Sequence, residues 1–361
     1  MQSVIDHYQE AIRLAAENKT PLQIRAGNTK TFYGNTALLP SSNTLDITTY
    51  HGIVDYDPAE LVITARAGTR LSEVEALLNQ HGQMLAFEPP HFGESATLGG
   101  CVAAGLSGPR RAYTGAVRDF VLGVRILNGK GEDLHFGGQV MKNVAGYDVS
   151  RLMVGALGTL GVLLEISLKV LPKPIVETTL CLSIDETAAI DMMNRWAGQP
   201  LPISATCYHK DQLFYRLSGV ESAVKAAQLK LGGDELNEQQ RISFWQSIRE
   251  QTDHFFMTAS HNNLWRLSIA SNAPPLALAG EQLFEWNGSL RWLKNTVDCD
   301  HQAIRQAAEK YGGHATLFRH RLTNANVFHP LSSGLLKIHR ALKEQFDPVG
   351  IFNPGRLYSE L

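Results

Sequence analysis

The spacing of apolar and polar residues predicts helices and short strands in close succession through the first part of the chain. A helix is predicted over residues 3–18, where apolar residues recur at helical intervals. Another helix is predicted over 69–80 and ends before Gly82. Segments rich in β-branched residues predict strands at 22–25, 44–48 and 60–68.

Residues 117–170 add antiparallel strands to this pattern. Two strand-like segments flank Asn128-Gly129, a dipeptide that favours a hairpin turn, so they belong to a mixed or antiparallel sheet. From Val162 to Val170 apolar residues occupy every second position, which is typical of a strand with one buried face.

The pattern changes after Pro172 and Pro174, two prolines that a helix cannot cross, and a domain border is predicted there. The segments that follow predict an antiparallel α+β domain. Its strands are predicted from 176, at 203–209, 212–218, near 263–270 and near 290–294, and its helices at about 185–197, 220–231 and 238–251. A last helix over 333–345, capped by Ser332 or Ser333, places Leu335, Ile338, Leu342 and Phe346 on one face.

Composition narrows the class of protein. The 361 residues are enough for two domains with buried cores. A formal charge of −2 without any dense Lys/Arg run argues against nucleic acid as a partner. The four cysteines form no C-x-x-C pair, which argues against zinc and iron–sulfur sites and predicts free thiols in a reducing cytosol. Neither a signal peptide nor a membrane span is expected.

The stretch 89–115 contains six glycines and almost no bulky side chain. Glycine allows positive φ and lets another molecule approach the backbone, so the stretch is either a set of tight turns with close packing or a wrap around a ligand. Hydroxyl groups at Ser95, Thr97 and Ser107 favour a phosphate or a flavin as that ligand.

Two further glycine-containing segments accompany this stretch. In 25-RAGNTKTFYG-34, Gly27, Asn28 and Thr29 could form a nest of N–H groups for a pyrophosphate, or a plain turn. Gly155, Gly158 and Gly161 either permit close packing or let the backbone contact a ligand. Neither a Rossmann nor a Walker motif occurs, so any phosphate must be bound by other loops.

With these motifs the chain resembles the FAD-linked oxidase superfamily, of the vanillyl-alcohol-oxidase type with a PCMH-type FAD-binding domain. The resemblance rests on RAGNTKTFYG, ATLGGCVAAGLSGPRRAYTGAVRD, KNVAGYDVSRLMVGALGTLGVLLEISLKV and FDPVGIFNPGRLY. It implies an α+β fold: a PCMH-type FAD-binding domain of two α+β subdomains at 1–171, an antiparallel α+β cap domain at 172–345, and a tail at 346–361 that returns to the flavin.

Within the superfamily, the chain is most similar to the FAD-binding subunits of bacterial glycolate oxidase. That resemblance implies an FAD-dependent oxidoreductase that converts glycolate or D-lactate to the 2-oxo acid. Its partners would be a larger FAD-binding catalytic subunit and an iron–sulfur subunit, in a cytoplasmic complex peripheral to the inner membrane. Two alternatives are a non-catalytic FAD-binding scaffold of that complex and a stand-alone FAD-dependent alcohol or 2-hydroxy-acid oxidase.

The resemblance also implies the residues that bind FAD. They are Arg25, Ala26, Gly27, Asn28, Thr29, Lys30, Gly34, Pro89, Thr97, Leu98, Gly99, Gly100, Ala103, Ser107, Gly108, Tyr113, Arg118, Gly158, Gly161, Val162 and Asn353. We expect non-covalent FAD, because these segments lack the histidine that bicovalent members carry. For Asn353, a plain Asn-Pro-Gly turn is the alternative.

Oxidation of a 2-hydroxy acid requires an arginine for the carboxylate and a base for the hydroxyl proton. Candidates cluster in 314-HATLFRHR-321, where His314 and Arg319 are the predicted catalytic residues and a structural role is the alternative for the histidine. If the segment is a strand, His314, Thr316 and His320 share one face, while Arg319 and Arg321 share the other. His91 is a second candidate.

The chain departs from catalytic members of the superfamily in lacking a His-x-x-Gly-Asp-Gly segment that ends in His, which argues against independent turnover by this chain. No metal site is expected. The chain also has no motif for a cluster or a haem. Electrons from a reduced flavin must therefore pass to oxygen, a quinone or another protein.

Overall fold

A computed structural model of the chain describes residues 1–35, 43–138, 148–257, 262–296, 298–320, 322 and 326–361. Residues 142–147 of the predicted flavin motif, and Arg321, lie outside the described residues. The elements up to residue 172 are α1 (Gln2–Glu17), β1 (Gln23–Arg25), β2 (Thr44–Asp46), β3 (Ile53–Asp57), β4 (Val62–Arg66), α2 (Leu71–Gln80), β5 (Gln83–Met84), α3 (Leu98–Ala104), α4 (Arg111–Thr114), α5 (Val117–Phe120), β6 (Val121–Leu127), β7 (Asp133–Gly137), α6 (Val149–Leu152), β8 (Val162–Lys169) and β9 (Leu171–Pro172).

A five-stranded antiparallel sheet forms the core of this first half, in the order β3-β4-β8-β6-β7. The predicted hairpin is confirmed: Asn128 Oδ1 accepts the N–H groups of Lys130 and Glu132, both at 3.0 Å, and so fixes the turn between β6 and β7. β8 lies at the centre of the sheet, and its apolar side chains are buried, as the alternation predicted.

A smaller parallel sheet stands beside the first. β1 pairs in parallel with β2, and Leu22 pairs in parallel with Phe352 of the C-terminal tail. The Leu22 N–H donates to Ile351 O at 2.7 Å. The tail therefore returns to the first half of the chain, where it extends the edge of the sheet that leads into the predicted pyrophosphate loop.

The remaining elements build an eight-stranded antiparallel sheet with helices packed on it. The strand order is β13-β10-β12-β11-β15-β16-β14-β17. These elements are β10 (Val176–Ser183), α7 (Glu186–Ala197), β11 (Ile203–His209), β12 (Gln212–Gly219), α8 (Glu221–Leu231), β13 (Asp234–Glu235), α9 (Glu238–Glu250), β14 (Asn262–Ser268), β15 (Glu281–Glu285), β16 (Leu290–Thr296), α10 (His301–Lys310), β17 (His314–Arg319) and α11 (Ser333–Phe346).

Sequence patterns identified most of these elements but missed the two-residue strand β13, β15 and α10. β15 is short and carries a glutamate at each end, Glu281 and Glu285, so its composition resembles a loop. α10 is largely polar and buries only Ile304 and Ala308. The predicted α+β class with antiparallel sheets is confirmed.

The two halves meet through one face of the eight-stranded sheet. Tyr33, Ala104 and Leu106 of the first half pack in one apolar cluster with Trp292 and Phe318 of the second. The face of the large sheet that carries Leu264, Trp292 and Phe318 is therefore turned toward the pyrophosphate loop and α3. The opposite face packs on α10.

A β-bulge changes the predicted faces of β17. The register between β14 and β17 shifts at Leu264, and both Phe318 and Arg319 contact the ring of Phe32, at 5.5 Å between centroids and 4.1 Å from the guanidinium carbon. The alternation that placed Arg319 opposite His314 and Thr316 is thus wrong. His320 follows the strand and is close enough to His301 of α10 for that residue to affect its pKa, which burial lowers.

Candidate cofactor site

A cleft of about 270 Å³ opens in the first half where three chain segments meet. One wall is the loop after β1, another is α3, and the third is the turn at 157–161, with Asn353 of the tail between them. The predicted residues on the lining are Arg25, Ala26, Gly27, Asn28, Thr29, Lys30, Thr97, Gly99, Gly100, Ala103, Gly158, Gly161 and Asn353.

Backbone and side-chain hydrogen bonds hold these segments together. Ser95 Oγ donates to Gly27 O at 2.6 Å, which joins the loop to the glycine-rich stretch. The N–H groups of Gly155 and Leu157 donate to the carbonyls of Val102 and Ala103, at 3.0 and 2.9 Å. The segments that were separated in the sequence therefore form one concave surface.

The loop after β1 leaves three of its N–H groups free for a ligand. Among the described residues, no group accepts a hydrogen bond from the N–H groups of Asn28, Thr29 or Lys30. Asn28 has a φ of 57°, the positive value expected in such a nest. Gly27 does not adopt a positive φ. Glycine is required there because a Cβ would lie 1.7 Å from Ser95 O.

Buried polar atoms of the cleft lack protein partners. Arg25 Nε and Gln23 Oε1 are buried, and neither makes a hydrogen bond within the described part of the chain. Lys30 Nζ donates to His91 O at 3.1 Å, and burial lowers its pKa. The cleft therefore combines cationic groups with unused donors, a combination that favours a phosphate-containing ligand.

Gly100 and Asn353 define the surface between the segments. Thr97 caps α3 by accepting the Gly100 N–H at 3.2 Å, and a Cβ at Gly100 would contact no atom except Thr97 Oγ1. Asn353 Nδ2 donates to Leu157 O at 2.7 Å, while its Oδ1 accepts the Ile24 N–H at 3.0 Å. Asn353 thus positions two walls of the cleft.

Other predicted residues do not line the cleft. Leu98 and Val162 are fully buried in the core. Arg118 Nη2 donates to Val154 O at 3.0 Å, and the Tyr113 hydroxyl donates to Asn287 Oδ1 of the second half at 2.6 Å. The others are Gly34, beside Arg356; Pro89, which is buried; and Ser107 and Gly108, which line a second cavity.

Sequence reasoning missed several lining residues, chiefly Gln23, Ile24, Thr31, Leu157 and Arg356. Arg356 lies within the tail motif that carried the family resemblance. Its guanidinium donates to Asn35 O at 2.9 Å and to Tyr33 O at 2.6 Å, so it holds the end of the loop, and burial together with the charge of Arg25 lowers its pKa.

The predicted catalytic residues lie outside the cleft lining. Arg319 donates to Gln251 Oε1 from Nε and Nη2, at 3.2 and 3.0 Å. His314 begins β17, with its ring centroid 6.5 Å from that of His329. Burial lowers the pKa of His314, and the charges of Arg266, His329 and Arg111 lower it further. Nε2 of His91, the second candidate, lies 3.1 Å from Glu75 Oε2.

A smaller cavity lies next to the cleft, between the glycine-rich stretch and the inner face of the large sheet. Its lining includes Ser107 and Gly108 from the first half, and Gln251, Arg266 and Glu285 from the second. Glu285 accepts the Trp292 Nε1–H at 2.8 Å, and burial raises the pKa of its carboxyl to about 7.

Comparison with known proteins identifies the family. A profile described as an FAD binding domain matches residues 4–137. Glycolate oxidase subunit GlcE of Escherichia coli is 52% identical over 352 residues, which cover 98% of this chain and 97% of that protein. The chain belongs to the GlcE family. Its cofactor is FAD, as the sequence predicted.

More distant relatives match only part of the chain. D-lactate dehydrogenase of Anaerostipes hadrus is 31% identical over 45% of this chain and 34% of that protein. Glycolate oxidase subunit GlcD of Bacillus subtilis is 28% identical over 48% and 37%. A structure of alkyldihydroxyacetonephosphate synthase has a TM-score of 0.66 at 16% identity, and covers 96% of this chain and 73% of that one. The last comparison shows a shared fold.

The described helices also bear on membrane association. None of them is both long enough and apolar enough to cross a bilayer.

Proposed function

We propose that this protein is the FAD-binding subunit of a glycolate oxidase complex, which oxidises glycolate or D-lactate to the 2-oxo acid. The observation that carries the proposal is a cleft of unused N–H groups and cationic side chains in a chain that aligns with GlcE along nearly its whole length. The relatives named for 2-hydroxy acids support the substrate class.

The residues of the cleft divide into two roles in this proposal. The N–H groups of Asn28, Thr29 and Lys30, with the side chain of Arg25, would hold the diphosphate, because free donors and positive charge favour phosphate oxygens. Gly100 would let the rest of the cofactor lie against bare backbone, because a Cβ there would meet no atom except Thr97 Oγ1. Gly158 and Gly161 line the same surface, but a Cβ at either would meet protein atoms, those of Asn353 and Leu127. FAD, when bound, supplies the two-electron acceptor.

We propose that the flavin is bound without a covalent link. None of the described lining residues of the cleft is a histidine, a cysteine or a tyrosine, the side chains that could form such a bond. After acid precipitation of the purified protein, we expect the yellow colour in the supernatant. Colour that stays with the precipitate would contradict this proposal.

The proposed partners are a larger FAD-binding catalytic subunit and an iron–sulfur subunit. The described residues contain no group of three or more His, Cys, Asp or Glu side chains that could hold a metal ion. The likeness to a glycolate oxidase subunit supports another protein, rather than oxygen or a quinone, as the electron acceptor, in a complex peripheral to the inner membrane.

Anaerobic addition of glycolate to the purified, flavin-containing chain tests the function. We expect bleaching of the flavin absorbance, followed by reoxidation with an artificial electron acceptor. A bound flavin that stays oxidised with glycolate and with D-lactate would contradict substrate oxidation at this flavin and favour the scaffold. Peroxide formation by the chain alone at the rate of bleaching would favour a stand-alone oxidase.

A further inference from the structure

Two arginines beside the second cavity stand out because they lack acceptors. The guanidinium carbons of Arg111 and Arg266 lie 4.3 and 5.2 Å from the centroid of the same ring, that of Trp286. Within the described part of the chain, neither arginine forms an ion pair or a side-chain hydrogen bond. Trp286 is itself fixed, because its Nε1–H donates to Gly108 O at 3.0 Å.

Other arginines in buried surroundings are satisfied. Arg110 and Arg216 bind the carboxylates of Glu88 and Glu177. Arg291 donates to the carbonyl oxygens of Gly288, Pro274 and Ala273. The fold therefore supplies acceptors to arginines that have a structural role, and Arg111 and Arg266 are exceptions to that pattern.

The electrostatics of the pair add to the contrast. Burial lowers the pKa of both guanidinium groups, and the charge of Arg266 also lowers the pKa of Arg111, so the two cations lie close enough to repel each other. Asp119 raises the pKa of Arg111, and Glu285, on the lining of the same cavity, raises that of Arg266, but burial outweighs both effects. Within the described residues, neither carboxylate forms an ion pair with these arginines. Both arginines are half-buried. A half-buried positive charge without a direct partner is costly, and a bound anion relieves that cost.

The position of the pair suits a substrate. Ala103 and Ala104 of α3 line the proposed FAD cleft, and Leu106 and Ser107, a few residues further, line the second cavity. The cavity is walled by Trp292, Phe318 and Leu290, which restrict it to a short ligand. Guanidinium groups bind planar carboxylates with two parallel hydrogen bonds.

We propose that Arg266 and Arg111 form the binding site for the carboxylate of a short organic acid, at the cavity between the glycine-rich stretch and the large sheet. This inference rests on the proposed function and extends it to a substrate site. It assigns to Arg266 and Arg111 the carboxylate-binding role that sequence reasoning gave to Arg319, whose guanidinium is occupied by Gln251. His314, whose pKa responds to both arginines, lies beside this site.

Calorimetric titration of the purified full-length chain with oxalate tests the site. Oxalate carries the required carboxylate and no C–H bond to oxidise, so binding is measured without turnover. We expect saturable binding that Arg266→Met and Arg111→Met each weaken at least tenfold, with partial recovery in Arg266→Lys. Arg340→Met, at an exposed arginine of α11, serves as the matched control and should bind as the unmodified chain does.

Two further measurements separate the possible outcomes. Flavin absorbance of the unmodified chain and of each variant reports cofactor retention. An unmodified chain that lacks flavin contradicts the proposed function, whereas its oxalate binding still tests the arginine site. Competition by chloride and phosphate distinguishes a carboxylate site from a general anion site: displacement of oxalate by equimolar phosphate would overturn the proposal. Unchanged oxalate affinity in both arginine variants would also overturn it.

Discussion

Gly100 is the residue at which cofactor binding can be separated from folding. A Cβ there would contact only Thr97 Oγ1, at 3.2 Å, so a longer side chain extends into the cleft. At the neighbouring Gly99, a Cβ would lie 2.7 Å from the Ala67 Cβ and disturb the packing of α3 on β4. We predict that Gly100→Leu weakens FAD binding at least 100-fold, about 2.7 kcal/mol, measured by flavin fluorescence titration.

The matched control is Gly334→Leu in α11, where an added Cβ would meet no atom within 4 Å. Both variants place leucine in a helix, and we expect FAD affinity to stay unchanged in the control. Retention of FAD by Gly100→Leu at the affinity of the unmodified chain would contradict the assignment of the cleft.

For single residues, the sequence predicted the chemistry of the cleft better than its geometry. Glycines were interpreted as either packing or ligand contacts, and the structure contains both. Gly27 and Gly108 approach protein backbone, whereas Gly100 faces the cleft. A sequence cannot distinguish these cases, because the atoms that a Cβ would meet belong to distant segments such as Ser95 and Glu88.

Among the elements, α11 and the tail are joined by a buried ion pair. Lys343 Nζ donates to Asp347 Oδ2 at 2.7 Å and to the carbonyls of Thr159 and Phe352, both at 2.8 Å. The Asp347 carboxylate in turn accepts the Phe352 N–H at 2.7 Å. The pair therefore fixes the backbone that leads into Asn353, which lines the cleft, and the turn at Thr159.

We predict that Lys343→Met lowers the free energy of unfolding by about 3–5 kcal/mol, because the Asp347 carboxylate would stay buried without its partner. FAD affinity should fall as well, since Asn353 loses its support. Chemical denaturation and flavin titration measure the two effects. Lys337→Met, at an exposed lysine of the same helix, should change stability by less than about 0.5 kcal/mol, and equal effects of both substitutions would contradict the prediction.

α11 also shows where a periodic pattern gives only part of the answer. The sequence predicted a helix over 333–345 with Ser332 or Ser333 as its cap, and in the structure Ser332 caps the helix. The sequence placed four apolar residues on one face of this helix. In the structure Leu335 and Ile338 are 50% and 56% exposed, and only the end near Leu342 and Phe346 packs on the core. Periodicity identifies the apolar face of a helix but does not show which residues, if any, pack against that face.

For the whole molecule, a cluster of four charged residues joins the two halves. Arg110 Nη2 lies 2.6 Å from Glu177 Oε2, and Arg216 Nη2 lies 2.9 Å from Glu88 Oε1. Burial alone would raise the pKa of both carboxyls, but the two arginines outweigh it and hold each pKa below its ordinary value. The cluster thus keeps the glycine-rich stretch against β10 and β12.

These pKa shifts predict a dependence of stability on pH. A carboxyl with a lowered pKa in the folded state stabilises the fold above its ordinary pKa of 4.5, and this contribution is lost as the pH falls through the lower, folded-state value. We predict that the free energy of unfolding falls less steeply between pH 6 and pH 3 in Glu177→Gln than in the unmodified chain. The difference in slope should correspond to at most one proton taken up on unfolding. Urea denaturation across this range measures both slopes, and parallel profiles would contradict the prediction.

The pairing of distant strands and the packing of the two halves were the features that the sequence predicted least. Local patterns predicted most strands, yet neither the order of the eight-stranded sheet nor the bulge that turns Arg319 toward Phe32 follows from them. Arg266 received no role from sequence because it lies in an ordinary strand. Only the contact of the two halves brings Arg111 to the Trp286 ring that Arg266 also contacts. Motifs locate a cofactor loop, whereas a site formed between two halves depends on their packing.

A crystal structure of the purified chain with its flavin tests the central claim most directly. We predict the FAD diphosphate within 2.7–3.2 Å of the N–H groups of Asn28, Thr29 and Lys30, with Arg25 Nε donating to it. Flavin density at another surface, or a cleft without ligand in yellow crystals, would contradict the account.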